Sequence, residues 1–371
     1  SFHEFGSLVE PLRDTGFNKD LVAPADGVIT GSGMIDGRPV SLLSRDYTVL
    51  GGSTGKHGAD KANRAVTQAT EQGLPFVALQ EGGGHRIQDG QDSRHFSAAS
   101  PVFEFLARNS GWVPTAMAML GQGFAGPTNW AALADFVVMV RGQATMGMAG
   151  PALVKAGLGQ EIDKEALGGA ALQTNRYGIS DLAVDTEDEA LAAVRRFLSY
   201  LPSNARQPLP IQENDDPITR AEEELLEIIP ASPRKSYDVR RIIELISDQG
   251  SVFEKKPSYA RNIVTSFARL NGRPVGFVAN QARHLAGMLD VKACEKASQF
   301  IGLCDAFGLP LVMLIDVPGF AIGSEAEKAG LGRRSGRLMF EMGQASVPRV
   351  SIVLRKGYGG IILGSVVVAD D

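Results

Sequence analysis

"DGRPVSLLS", Asp36–Ser44, has a near copy in "NGRPVGFVA", Asn271–Ala279. The two begin 271 − 36 = 235 positions apart, and the offset persists without a gap well beyond them. Lys61-Ala62 falls on Lys296-Ala297, the Gly-Leu-Pro at Gly73 on the one at Gly308, Glu81 on Asp316, and Gly84 on Gly319. A register kept from Asp36 to Gly84 marks a duplicated structural unit, so the chain reads as two homologous halves of one fold.

The unit has a coarse pattern. "GRPVSLLS" is a short apolar run after a turn and predicts a strand. "GADKANRAVTQATEQG" places Ala62, Ala65, Val66 and Ala69 on one helical face and closes on a glycine. "LPFVALQ" is continuously apolar, as in a strand covered on both sides. Strand, helix, strand implies a βαβ unit with a right-handed crossover. "GRPVGFVAN", "KACEKASQFIGLCDAFG" and "LPLVMLIDV" repeat the order. Each half thus delivers its backbone to an equivalent place, "EGGG" at Glu81 and "DVPG" at Asp316. The expected domains are 1–205 and 234–371. Between them 206–233, rich in proline and acids, reads as a linker. The helix "SYDVRRIIELISDQG" opens the second half, with Val239, Ile242, Ile243 and Ile246 at core spacing.

Composition excludes several classes. The 371 residues carry a net charge of -5, which argues against a nucleic-acid partner. No run of about 18 apolar residues predicts a membrane span. The two cysteines, Cys294 and Cys304, form no Cys-x-x-Cys pair, and a reducing compartment, the cytoplasm, is expected. The histidines His3, His57, His85, His95 and His284 lack metal-ligand spacing, so no metal is expected.

"GGSTGKHG", Gly51–Gly58, fails as a phosphate loop, with Leu50 in place of the first glycine and His57 in place of the hydroxyl. It does match Gly-x-Ser-x-Gly at Gly51, Ser53 and Gly55, which keeps a serine hydrolase using Ser53 open. "QEGGGHRIQDG" follows a strand and precedes a predicted helix, "HRIQDGQDSRHFSAASPVFEFLARN"; "RKGYGGIIL" follows the strand "RVSIVL". Backbone N–H groups at strand-to-helix junctions point outward and can converge on one oxygen, and glycine lets the backbone approach closely.

Taken together, "DYTVLGGS", "GGGHRIQDG", "GPALVKAGLGQEIDKEALGGA", "FLSYLPSN", "PVGFVANQ", "DVPGF" and "SVPRVSIVLRKGYGG" resemble the carboxyltransferase (β) subunit of biotin-dependent acyl-CoA carboxylases, the propionyl-CoA carboxylase β class. The resemblance spans the chain. It implies an α/β fold of two tandem homologous crotonase-like (ClpP/crotonase) ββα-superhelix domains, an acyl-CoA side in the first and a biotin side in the second. It implies transfer of CO2 from carboxybiotin, borne by a biotin carboxylase/carrier partner, to the α-carbon of a CoA thioester, with no metal in this subunit. It implies a homo-oligomer, a hexamer built as a trimer of dimers, with sites shared between subunits. The location would be the cytoplasm, or the mitochondrial matrix in a eukaryote. By resemblance, Gly83 and Gly84 face the thioester oxygen, and Gly360 and Ile361 the biotin ureido oxygen. Gly82, His85, Arg86, Gly126, Pro127, Asn129, Trp130, Gly150, Gly319, Phe320, Gly359 and Leu363 line the substrates.

Two departures stand out. "GPTNWAALADF", Gly126–Phe136, lacks the family's Cys-Ala-Gly-Gly, and Ile361-Ile362-Leu363 replaces Ala-Tyr-Asp. These predict an acyl group larger or more apolar than propionyl. Relatives continue past "GSVVVADD", so the second domain is expected to be incomplete at its C-terminus. A biotin-dependent acyl-CoA decarboxylase component, which runs the chemistry backward, and a catalytically silent scaffold remain alternatives.

Overall fold

The computed structural model describes residues 2–12, 22–86, 101–232 and 234–358. The chain divides into two compact units, Ser1–Ser199 with Ser203–Gln207, and Tyr200–Pro202 with Pro208–Asp371.

The first unit is built on a sheet of seven described strands in the order β1-β2-β3-β4-β5-β7-β9. These are β1 (Phe2–Phe5), β2 (Val28–Ile35), β3 (Arg38–Arg45), β4 (Phe76–Gln80), β5 (Thr115–Met119), β7 (Phe136–Val140) and β9 (Leu182–Val184). A small parallel pair, β6 (Gln122–Phe124) with β8 (Thr145–Gly147), stands apart. The strand expected at "GRPVSLLS" is the second arm of an antiparallel hairpin, with Ile35 paired to Arg38. Asp36 and Gly37 both have positive φ, 48° and 78°, which a two-residue type I′ turn requires. Helix α1 (Lys56–Gln72) then crosses over, and β4 pairs parallel to β3. Gly73 ends α1 in the left-handed conformation and donates its N–H to Ala69 O. Val28, Leu43, Ala62, Ala65, Val66, Ala69, Phe76 and Ala78 share one buried core.

The second unit repeats this plan in the order β10-β11-β12-β13-β14. Here β10 is Phe253–Lys255, β11 Ile263–Leu270, β12 Arg273–Asn280, β13 Leu311–Val317 and β14 Arg349–Gly357. β11 starts 263 − 28 = 235 residues after β2, and β12 starts 273 − 38 = 235 after β3. The hairpin turn Asn271-Gly272 again has φ of 50° and 74°. The crossover helix Val291–Ala306 leads to β13, parallel to β12. Val264, Ala268, Phe277, Ala279 and Leu314 pack with Val239, Ile242 and Ile243 of the helix Val239–Ile246. The repeat reaches buried polar groups too. Lys61 donates its Nζ to Ala25 O at 3.1 Å, and Lys296 donates to Lys256 O, Tyr259 O and Ile263 O at 2.8, 2.9 and 2.8 Å.

The proline-rich stretch after Gln207 packs on the second unit. Arg269 Nη1 donates to Pro210 O at 2.7 Å, Gln212 N to Gly272 O at 3.0 Å, and Arg220 Nη2 to Ser247 O at 2.6 Å. It also carries a short helix, Leu225–Ile228.

Candidate active site

The glycine stretch leaves β4 at Gln80 and is pinned on both sides of Gly84. Gly82 crosses Gly52 so closely that a Cβ on either would sit inside the other's backbone. The tripeptides Gly51-Gly52-Ser53 and Gly82-Gly83-Gly84 are therefore two halves of one contact. Gly82 N–H donates to Gln122 O, and Gly83 N–H donates to Gly51 O at 3.0 Å. Beyond them Thr54 N–H donates to Gly84 O at 2.9 Å, and Arg86 N–H to Thr54 O at 2.8 Å. Arg86 is 2% exposed; its Nη1 lies 2.6 Å from Oδ1 of fully buried Asp26, and its Nη2 donates to Ser53 O at 3.2 Å. Asp26 Oδ2 also accepts from Gly58 N at 2.6 Å, so one carboxylate holds both the glycine loop and the start of α1.

Gly84 N–H, by contrast, has no hydrogen-bond partner among the described residues. Neither has Gly126 N–H, which opens the helix Gly126–Leu133. That helix start is held rigidly. Ala125 takes a φ of 65° and donates its N–H to Gly147 O at 2.8 Å. Thr128 Oγ1 bonds Gly123 O at 2.8 Å and accepts from Gly147 N at 2.9 Å. Pro127 follows and has no N–H, so Gly126 is the donor left at this end. The two donors are neighbours: an ideal Cβ on Gly84 would lie 3.8 Å from Gly126 N and 3.2 Å from Ala125 Cβ.

Both glycines border a cavity of about 90 Å³ that His85, Pro127 and Trp130 also line. Arg45, the last residue of β3, forms part of its wall. Its Nε donates to Gln80 Oε1 at 2.6 Å, its Nη1 donates to Thr54 Oγ1, and its guanidinium lies 5.6 Å from the Trp130 ring centroid. Burial pushes Arg45 down to about 10.

Gly84, His85, Gly126, Pro127 and Trp130 are thus brought to one cavity. The other expected residues of the first unit lie elsewhere. Gly82 and Gly83 spend their N–H groups on Gln122 O and Gly51 O, and Arg86 is a buried anchor. Asn129 N–H donates to Ala125 O at 3.3 Å within the helix turn, and Gly150 caps the helix Pro151–Leu158. Ser53 has ordinary extended backbone, φ −68° and ψ 141°, not the strained turn of a nucleophile elbow. Its Oγ donates to Leu50 O at 2.9 Å and accepts from Arg86 Nε at 3.4 Å, with no histidine among its described partners.

In the second unit Gly319 O accepts from Leu289 N at 3.1 Å, and Ala321 N donates to Leu289 O at 2.8 Å, repeating the Gly84–Thr54–Arg86 ladder. Phe320 sits in that bridge as His85 does in the first. Buried Asp316 fixes the end of β14: Arg355 Nη2 lies 3.0 Å from its Oδ2, and Lys356 N–H donates to its Oδ1 at 3.2 Å. Burial and the Asp316 charge push the neighbouring Tyr237 hydroxyl up. Gly359, Gly360, Ile361 and Leu363 lie outside the described residues. Among the described residues no cluster of His, Cys, Asp or Glu is arranged to hold a metal, and no helix is long and apolar enough to cross a membrane.

Comparison with known proteins defines the class first. The carboxyl transferase domain family matches residues 1–369, and the chain belongs to that family. The propionyl-CoA carboxylase carboxyltransferase subunit of Haloferax mediterranei is 40% identical over 97% of this chain and 69% of its own length. The methylmalonyl-CoA decarboxylase subunit alpha of Veillonella parvula is 37% identical over 92% of this chain and 66% of its own. Among solved structures, the transcarboxylase 12S hexamer with methylmalonyl-CoA bound superposes with a TM-score of 0.94 at 37% identity, over 98% of this chain and 71% of that one. The chain is thus a carboxyltransferase with a crotonase-like α/β fold, as the motifs implied.

Two features escaped the sequence. Gly126 reads as substrate contact, yet its N–H, at a helix start beside Gly84, is a donor. Arg45 drew no notice at all. The signal was present, for it is a charged residue near the end of a buried strand, aligned by the repeat with neutral Asn280.

Proposed function

We propose that this carboxyltransferase moves a carboxyl group between carboxybiotin on a partner protein and the α-carbon of an acyl-CoA thioester held in the first unit. The carrying observation is the pair of N–H groups, Gly84 and Gly126, unspent among the described residues and beside one cavity. An α-proton next to a thioester is weakly acidic, so the barrier lies in the enolate. Two preorganised donors aimed at its oxygen supply about 2.7–4 kcal/mol each. The helix starting at Gly126 adds its positive end to the same place. The pinned Gly82–Arg86 loop keeps these donors from reorganising as charge develops. Carboxybiotin supplies CO2 and, once that has left, the base for the α-proton. The chain needs only to hold the two substrates close. Gly360 and Ile361 are proposed for the biotin side.

The relatives support the finer points. The transcarboxylase 12S structure is a hexamer with methylmalonyl-CoA bound, which favours a hexamer, a trimer of dimers, and a CoA ester as substrate here. A Mycobacterium tuberculosis relative is named biotin-dependent, which supports a biotin carboxylase/carrier partner. The decarboxylase relative shows that direction is not fixed by the family. A cytoplasmic location fits the two free, buried cysteines. The test incubates the full chain with methylmalonyl-CoA and free biotin and measures propionyl-CoA. Biotin-dependent formation supports the reading; release of free CoA instead, abolished by Ser53→Ala, would restore the hydrolase.

A further inference from the structure

We propose that the cavity beneath Gly84 is a subsite for a carboxylate carried by the acyl group, with Arg45 as its counter-ion. This rests on the acyl-CoA reading above and deepens it. Arg45 is 8% exposed, and its described hydrogen bonds go to two neutral groups, Gln80 Oε1 and Thr54 Oγ1. Among the described residues no carboxylate lies within ion-pair distance of it. A buried cation without an anion is costly unless a ligand completes it. The groups around it ask for the same ligand. Gln80 is fully buried, and its Nε2 donor has no acceptor among the described residues. The Asn63 side-chain amide borders the cavity with its Oδ1 buried and unbonded, and such an amide can present either end to a ligand.

The repeat supplies an internal control. With the offset of 235, Arg45, Thr54 and Gln80 correspond to Asn280, Leu289 and Ile315. Those three line an apolar cavity of about 30 Å³ in the second unit. The same backbone therefore closes well without a cation at this position, and Arg45 answers to something other than the fold. The larger cavity has room for about three waters, or a short chain ending in a charged group. Its cation is one residue removed from the oxyanion donors, since Arg45 bonds Thr54 and Thr54 N–H bonds Gly84 O. The acyl end is accordingly charged, where the departures at 126–136 and 361–363 predicted a larger or more apolar group. The carboxylate is either the one transferred, at the α-carbon, or a permanent one at the far end of the chain.

Calorimetric binding to the full chain separates these cases, using methylmalonyl-CoA against isobutyryl-CoA and glutaryl-CoA against hexanoyl-CoA. At least one charged ester should bind about tenfold to a hundredfold more tightly than its neutral counterpart. Preference for methylmalonyl-CoA assigns the α-carboxylate, and preference for glutaryl-CoA the distal one. Arg45→Gln should erase the preference without lowering the melting temperature of the unliganded protein, and Arg45→Lys should keep part of it. Equal binding within both pairs, or a preference that survives Arg45→Gln, overturns the subsite. Failure of all four esters to bind the folded wild type overturns the acyl-CoA reading, and the subsite with it.

Discussion

The two units share a backbone and differ in what they bury. Their hairpins, crossover helices and loop ladders coincide at a constant offset, down to a buried lysine at the same helical position. Yet the first lines its cavity with Arg45 and Thr54, with buried Gln80 bonded behind Arg45, where the second lines its own with Asn280, Leu289 and Ile315. The helix starts differ as well. α1 is capped from a distance by Asp26, which also holds Arg86, whereas its counterpart is capped locally by Asp290, which accepts from Ala293 N at 2.9 Å. The backbone that shapes the fold and its loop ladders is repeated; the side chains that line the cavity and the Asp26–Arg86 pair are not.

This contrast predicts unequal responses to equal mutations. The largest concerns the caps. Asp26→Ala breaks the buried Asp26–Arg86 ion pair and should cost about 3–5 kcal/mol, together with transfer activity. Asp290→Ala removes a local cap and should cost about 1 kcal/mol. Urea denaturation of both variants checks this, and equal losses would break the distinction. Next come the lysines. Lys296→Met removes one donor shared by three buried carbonyls and should cost about 3 kcal/mol, more than Lys61→Met. Melting curves of the pair decide the order.

The smallest effect is chemical. Cys294 is fully buried, and desolvation pushes its thiol up to about 12; burial raises Cys304 also. Both should ignore a disulfide reagent at pH 8 until urea is added. Since the folded state holds these protons more tightly, their stabilisation is present below the unfolded thiol value of about 8.5 and is lost as pH rises toward the folded value. The melting temperature should fall across that range.

Much of this architecture was legible before any coordinates. The repeat gave the two halves, and apolar periodicity gave β3, α1 and β4, because both are local patterns that packing then respects. The hairpin partner β2 was missed, since "VITGSGMI" carries glycines that mask its alternation, although Asp36-Gly37 was a turn signal in plain view. At the site, the glycines were legible as close approaches, but their donors were not. Whether an N–H is spent or free depends on a strand far away in sequence. Gly83 loses its donor to Gly51 O, while Gly126, first in a helix after Ala125 of positive φ, has its N–H unspent among the described residues. Arg45 was invisible for a related reason, as only tertiary structure shows that no acid among the described residues meets it.

The account depends most on the N–H groups of Gly84 and Gly126, which have no partner among the described residues. Gly126 offers the sharper test, because a Cβ there meets nothing within 4 Å. Gly126→Ala adds that Cβ and keeps the N–H; Gly126→Pro removes the N–H from a position where proline suits a helix start. The measurement is the rate of methylmalonyl-CoA-dependent carboxyl transfer to free biotin by the two variants, at matched CoA-ester occupancy. A rate for the proline variant about a hundredfold or more below that of the alanine variant is the predicted result. Equal rates would contradict the enolate site.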